Sequence, residues 1–280
     1  MDETKTHQKI ALFACNGDLP KLVENALQKQ NIHSIIIAFE GITHPTGWDN
    51  KNLHWHKIGH VGGILKTLRD AGVTHVTFAG SLKRPNLQAL SMDTTGMQWL
   101  GRLGMSIFKG DDGLLSAVLN LIEREGFQIV APHTWLEDIM ASVGGLTALQ
   151  PSKEDIQDIQ KGWDLLRVMS PFDVGQAVVV RKGVILGIEA LEGTQGLLER
   201  VALMKEGMHS GVLVKGAKIG QSLKIDVPTI GPDTVEQVKN AGLRGMAMSA
   251  HTTQILMKEK VIALCNQRGL FLDVFKDERS

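Results

Sequence analysis

Four short apolar runs in the first 131 residues, Lys9–Cys15 (KIALFAC), Ser34–Phe39, Val73–Ala79 and Phe127–Ala131, constrain the fold most strongly. The stretches that separate two of these pairs carry apolar residues at helical spacing, as in LVENALQKQ after Pro20 and VGGILKTLRDA over 61–71, and Gly113–Glu125 reads as a further helix before the fourth run. Strands alternating with helices imply a parallel sheet with crossover helices, hence a doubly wound α/β first domain. In such sheets ligands bind beyond the carboxyl ends of the strands. Two polar turns fall there, Asn16-Gly17-Asp18 and Gly80-Ser81-Leu82-Lys83-Arg84-Pro85, whereas Gly41–Asn52 reads as a Gly/Pro/Trp loop.

The second half has a different rhythm. Ser142–Gln150 is small and glycine-rich, and Ser152 then serves as a helix N-cap ahead of Asp155. A β-hairpin follows, Val174–Val180 and Val184–Leu191 around Arg181-Lys182-Gly183. Helices are expected over Gln195–Lys205, Asp233–Ala241 and Lys258–Arg268, with short strands around Met246 and Ile255. A chain of 280 residues suits two domains or one larger α/β domain; for two, the boundary is expected near Ser170, giving domains 1–170 and 171–280.

Thirty basic residues balance thirty acidic ones, so nothing global draws the chain to nucleic acid or an anionic membrane, and any anion site must be local. No apolar run approaches the ~20 residues of a spanning helix. The opening MDETKTHQK and the few apolar residues after it are wrongly built for a signal peptide. Cys15 and Cys265 lie far apart in apolar settings and read as reduced packing residues of a cytoplasmic protein.

Gly211–Thr234 (GVLVKGAKIGQSLKIDVPTIGPDT) holds the densest chemistry. Lys215 and Lys218 are point charges for phosphate oxygens, Gln221 and Thr229 supply hydrogen bonds, glycines allow close backbone approach, and Asp226 can hold a metal or take a proton. The inventory suits a phosphate site; it also suits a strand pair with a glycine-rich turn and solvated lysines. Elsewhere, Asn16-Gly17-Asp18 lacks the spacing of a dinucleotide fingerprint and reads either as another phosphate contact or as a plain turn. Lys83 and Arg84 divide between a ligand contact and a solvated loop. Asp111 and Asp112 sit where a helix starts, as caps or as oxygen ligands for magnesium. Glu192 and Thr194 appear where the chain leaves the hairpin, and Glu192 with Asp226 gives two acids from separate loops, enough to anchor a divalent cation that keeps its waters. Trp99, Leu100, Leu103, Met105, Ile107 and Phe108 form an apolar run that reads as a lipid-contacting patch or a buried helix. His54, His56 and His60 lack a fourth zinc ligand and read as ordinary histidines.

Taken together, GDLP, GSLKRP, GDDGLL, DVGQAVVV, EA-x-EGT, GVLVK-x-x-K-x-GQ and DVPTIGPDT occur in the order and spacing of one family. The chain closely resembles the LpxI-type UDP-2,3-diacylglucosamine diphosphatases of lipid A biosynthesis, from about Ile10 to Phe271. The resemblance implies a Rossmann-like N-terminal domain with a parallel sheet and a distinct C-terminal α/β domain of mixed sheet. It implies magnesium-dependent hydrolysis of UDP-2,3-diacylglucosamine to UMP and 2,3-diacylglucosamine 1-phosphate (lipid X), by a cytoplasmic homodimer in peripheral contact with the inner membrane. The family's essential aspartate falls on Asp226, its lysines on Lys215 and Lys218, and its acid-threonine turn on Glu192 and Thr194. Asp226, Glu192 and Lys215 are thus the expected catalytic residues, with Asp226 and Glu192 as metal ligands. Asn16, Gly17, Asp18, Lys83, Arg84, Asp111, Asp112, Thr194, Gln195, Lys218, Gln221 and Thr229 are the expected substrate contacts. The family usually reads EGTD where this chain has Gln195 in the last place, which keeps open a non-catalytic sugar-nucleotide or lipid-binding homologue. A nucleotide-dependent oxidoreductase is disfavoured by the missing fingerprint.

Overall fold

The computed structural model describes residues 9–48, 52–82, 85–86, 89–104, 106, 111–136, 139–204, 209–219, 221 and 227–276, with the backbone alone at 111 and 112. The chain divides into two compact units, Met1–Glu137 and Asp138–Ser280.

The first unit runs β1 (Ile10–Ala14), α1 (Leu19–Lys29), β2 (Ser34–Phe39), β3 (Leu53–His56), α2 (Val61–Asp70), β4 (His75–Ala79), α3 (Thr94–Leu103), α4 (Asp111–Arg124) and β5 (Gln128–Ile129). Its five strands stand in the order β3-β2-β1-β4-β5, all parallel. The central strand β1 is buried along its whole length, as a parallel strand covered on both faces must be. Ile10 and Leu12 pack with Val23 and Leu27 of α1. On β1 Phe13 meets Phe39 and Phe78, with ring centroids 5.9 and 4.7 Å away. The chain reverses direction across the sheet between β1 and β4, the switch point where open α/β sheets take ligands.

The second unit runs β6 (Gly144–Gly145), α5 (Lys153–Met169), β7 (Ala177–Arg181), β8 (Val184–Ile188), α6 (Gly193–Ala202), β9 (Val212–Lys215), β10 (Thr229–Ile230), α7 (Pro232–Asn240), β11 (Gly245–Ser249), β12 (Gln254–Ile255), α8 (Lys258–Arg268) and β13 (Phe271–Phe275). Six strands form a mixed sheet in the order β6-β13-β11-β9-β7-β8, and β10 pairs with β12 in a small separate ribbon. Strands β9, β11 and β13 are parallel, while β7 runs antiparallel to β9, β8 to β7 and β6 to β13. One face carries Leu213, Met246, Met248, Leu272 and Val274 against Leu197, Val201, Val235, Val238, Val261 and Cys265 of the helices.

The boundary expected near Ser170 moves. Helix α5 presents Ile159, Trp163 and Leu166 to Val178, Val180, Val212, Val214, Ala247 and Phe271 of the second sheet, so it belongs wholly to the second unit. Its start is as the sequence reads: Ser152 accepts from the Asp155 N–H at 3.2 Å, and Asp155 accepts from the Ser152 N–H at 2.8 Å, a reciprocal cap. In the apolar run around Trp99, Trp99 on α3 is buried and Leu100 and Leu103 are half-buried; Met105, Ile107 and Phe108 lie outside the described residues. No helix among the described residues is long and apolar enough to cross a membrane.

Candidate functional site

In the second unit one edge of the mixed sheet gathers the carboxyl ends of β9 and β11, the start of β7 and the exit of β8. Lys215 closes β9 there. Its side chain lies within the protein, with the residue only 7% exposed, and its ammonium donates to Thr194 Oγ1 at 2.7 Å. The Thr194 hydroxyl in turn donates to Glu189 Oε1 at 2.8 Å. The second oxygen, Oε2, accepts from the Gln176 N–H at 2.9 Å. Glu189, one residue beyond β8, is 9% exposed, so a buried cation and a buried anion share one hydroxyl. Buried charges are retained where pairing or hydrogen bonds offset their desolvation; here Glu189 accepts two hydrogen bonds and Lys215 donates one to the shared hydroxyl.

The close approach of the β7 entry to the β8 exit depends on Gly175. A side chain there would bring its Cβ to 2.1 Å from the Glu189 carbonyl oxygen. Thr194 stands in the first turn of α6, so the Lys215 ammonium lies beside a helix N-terminus. Both features favour an anion.

Other expected site residues are engaged elsewhere. Glu192 is exposed and paired with Arg200; a hydrogen bond from its own backbone N–H, aided by the Arg200 guanidinium, holds its carboxyl below the usual carboxylate range. Gln195 donates to Glu199 Oε1 at 2.8 Å on the exposed face of α6. Lys218 is ion-paired with Asp173, and its backbone N–H donates to Gln221 Oε1 at 2.9 Å. The neighbouring Ile219 N–H donates to Ser170 Oγ at 2.5 Å, so residues 218 and 219 lie along the segment that leads into β7. The Thr229 hydroxyl donates to the Val227 carbonyl at 2.7 Å. Asp226 lies outside the described residues.

In the first unit, Asn16 and Ser81 join the ends of β1 and β4 through reciprocal backbone bonds of 3.1 and 2.8 Å. Gly80 permits this, since it holds φ +91° and a Cβ on it would stand 2.4 Å from the Asn16 carbonyl oxygen. The Asn16 backbone is therefore spent on the fold. Gly17 has φ +97° in the turn that follows, and the Asp18 carbonyl accepts from the Lys21 and Leu22 N–H groups at 3.1 and 3.2 Å while its side chain makes no cap. Asp111 and Asp112 open α4 within its first turn, a little earlier than the sequence suggests. Lys83 and Arg84 lie outside the described residues. His56 and His60 are engaged with the Thr67 and Ser91 hydroxyls at 3.2 and 2.9 Å.

Among the described residues no group of three or more His, Cys, Asp or Glu is placed to hold a metal ion. Of the two expected metal ligands, Glu192 is paired with Arg200 and Asp226 lies outside the described residues. The buried acid of this chain of contacts, Glu189, lies inside the EA-x-EGT segment, where sequence reading singles out Glu192 instead.

Residues 9–139 match the family model described as the LpxI N-terminal domain, and residues 142–273 match that of the LpxI C-terminal domain. The curated protein "UDP-2,3-diacylglucosamine pyrophosphatase LpxI" of Caulobacter vibrioides is 38% identical over 221 residues, covering 77% of this chain and 79% of that protein. Both domain models, matched in sequence order over nearly the whole chain, make it a member of the LpxI family.

Proposed function

We propose that this protein hydrolyses the pyrophosphate of UDP-2,3-diacylglucosamine to UMP and lipid X in lipid A biosynthesis. The reading is carried by the buried Lys215 ammonium at the sheet edge, set in a matched LpxI C-terminal domain. Water adds to one phosphorus, the bridging P–O bond breaks, and the two phosphates leave on UMP and on the diacylglucosamine. Charge builds on the phosphate oxygens as that bond breaks. A preorganised ammonium in a site screened from water stabilises this charge far better than solvent does. Lys215 fills that role, and Asp226, in the same stretch, is assigned to take the proton of the attacking water. The protein is further proposed to act as a cytoplasmic homodimer that meets the inner membrane peripherally.

The test is release of UMP from UDP-2,3-diacylglucosamine by the purified protein, with magnesium and then with EDTA. Release that depends on the metal supports the diphosphatase and the magnesium requirement together. Bound lipid without release overturns the reading in favour of a non-catalytic binding homologue, and Gln195→Asp is then the next variant. The exposed bond of Gln195 to Glu199, outside the Lys215 chain of contacts, favours release.

A further inference from the structure

We propose that Glu189 is the positioning residue of the Lys215 site, acting through the Thr194 hydroxyl to aim and hold the ammonium that meets the pyrophosphate. This rests on Lys215 being that cation. The Thr194 hydroxyl has one proton, and it goes to Glu189 Oε1; the oxygen therefore turns a lone pair toward Lys215 and accepts one of its three N–H groups. Glu189 is itself locked by the Gln176 N–H on its other oxygen and by its place between β8 and the Gly175 backbone.

The hydroxyl between the two charges matters chemically. A carboxylate touching the ammonium directly would compete with an incoming phosphate for its N–H groups. Two hydrogen bonds away, Glu189 supplies a compensating charge for the buried ammonium, yet it claims none of its N–H groups. Lys218 shows the other arrangement, with its ammonium on the Asp173 carboxylate. The charged and titratable groups on the described elements about Lys215 are Glu189 after β8, Glu192 and Arg200 on α6, the Asp173–Lys218 pair and His251 after β11. Of those described, Glu189 is the one joined to Lys215 through a single side chain.

The experiment measures kcat and KM for UMP release, together with the urea midpoint, in wild type, Glu189→Gln, Thr194→Val, Thr194→Ser, the Glu189→Gln/Thr194→Val double variant and Lys215→Met. Glu189→Gln is expected to lower kcat/KM about 10–100-fold, as loss of a residue supporting a functional group does. The loss should fall on kcat with KM nearly unchanged, because an aimed ammonium acts on charge that builds only in the transition state. Thr194→Val should do the same, Thr194→Ser should restore the wild-type kcat, and the double variant should be no worse than the poorer single one. A merely structural role would lower the urea midpoint while the folded protein kept its kcat. Wild-type kcat in folded Glu189→Gln overturns the proposal; should that variant not fold, wild-type kcat in Thr194→Val overturns it equally. Full activity in Lys215→Met would sink the functional reading itself. An inactive Lys215→Met beside wild-type kcat in the other variants sinks only the role of Glu189.

Discussion

Lys215 and Lys218 stand three residues apart and are held in opposite ways, Lys215 by the Thr194 hydroxyl and Lys218 by the Asp173 carboxylate. Their substitution should therefore separate activity from stability. Lys215→Met keeps the volume of the side chain and leaves Glu189 its bonds to Thr194 and the Gln176 N–H, so the fold should survive, at a urea midpoint lowered by the lost counter-charge. UMP release should fall ~10²–10³-fold, the usual cost of removing one preorganised electrostatic contact.

Lys218→Met instead leaves the Asp173 carboxylate without its ammonium in a setting where that side chain is only 22% exposed. The expected loss is about 1.5–3 kcal/mol of stability, the range for a hydrogen bond to a charged group, read from the urea midpoint. If Lys218→Met lost activity as heavily as Lys215→Met while its urea midpoint stayed at the wild-type value, Lys218 would be a substrate contact rather than a brace between two loops.

Gly175→Ala tests the approach that delivers Glu189. A methyl group 2.1 Å from the Glu189 carbonyl oxygen and 3.0 Å from the Glu189 Cβ forces the strand exit to move, and overpacking of this kind costs about 1–3 kcal/mol. The melting temperature should fall, and kcat/KM should fall in the folded fraction, since Glu189 carries Thr194 with it. Wild-type kcat/KM at a lowered melting temperature would show that Glu189 keeps its place when the backbone shifts.

The first sheet was legible because each of its long strands is an apolar run buried on both faces. Strand β3 was harder to see: Leu53-His54-Trp55-His56 lies at the sheet edge and carries polar residues. Strand β13 was missed, because Phe271–Phe275 has an acid at its centre. The cap that starts α5 is plain in the sequence, but an apolar stripe of Ile159, Trp163 and Leu166 says only that a sheet covers it, not which one. The same limit explains the site. Lys215 and Thr194 were found from residue type, and the structure joins them. Glu189 and Glu192 lie three residues apart in one segment, and their roles separate only in space, where one meets a hydroxyl and a backbone N–H inside the unit and the other meets Arg200 outside. Position gave no clue either, since the hairpin strand read as Val184–Leu191 takes in Glu189, whereas β8 ends at Ile188 and leaves Glu189 at the strand exit.

The two thiols give a simple chemical check. Burial pushes Cys15 up to about 11 and Cys265 up to about 12, so neither forms an appreciable thiolate at neutral pH, and the thiolate is the reactive species. With an aromatic disulfide reagent at pH 8 the native protein should react far more slowly than the urea-unfolded one, and both cysteines should titrate only after unfolding. Rapid labelling of one thiol in the native state would mean that its surroundings open on the timescale of the assay.

Asp273 on β13 makes a prediction about pH. Burial raises its carboxyl above the ordinary value of 3.8, and a hydrogen bond from the Val274 backbone N–H offsets part of that rise. Because the folded protein holds this proton more tightly than the unfolded chain, the unfolded chain releases it first as pH rises. The stability contributed by the protonated form is thus complete below pH 3.8 and is lost between there and the raised folded value, above which the curve is flat in this group. Asp273→Asn removes the titration while keeping the size of the side chain. Urea midpoints compared from pH 4 to pH 8 should show the variant gaining on wild type as pH rises and then running parallel to it. A constant difference across the range would mean that Asp273 titrates alike in the folded and unfolded chains, with its carboxylate hydrated where β13 meets β6.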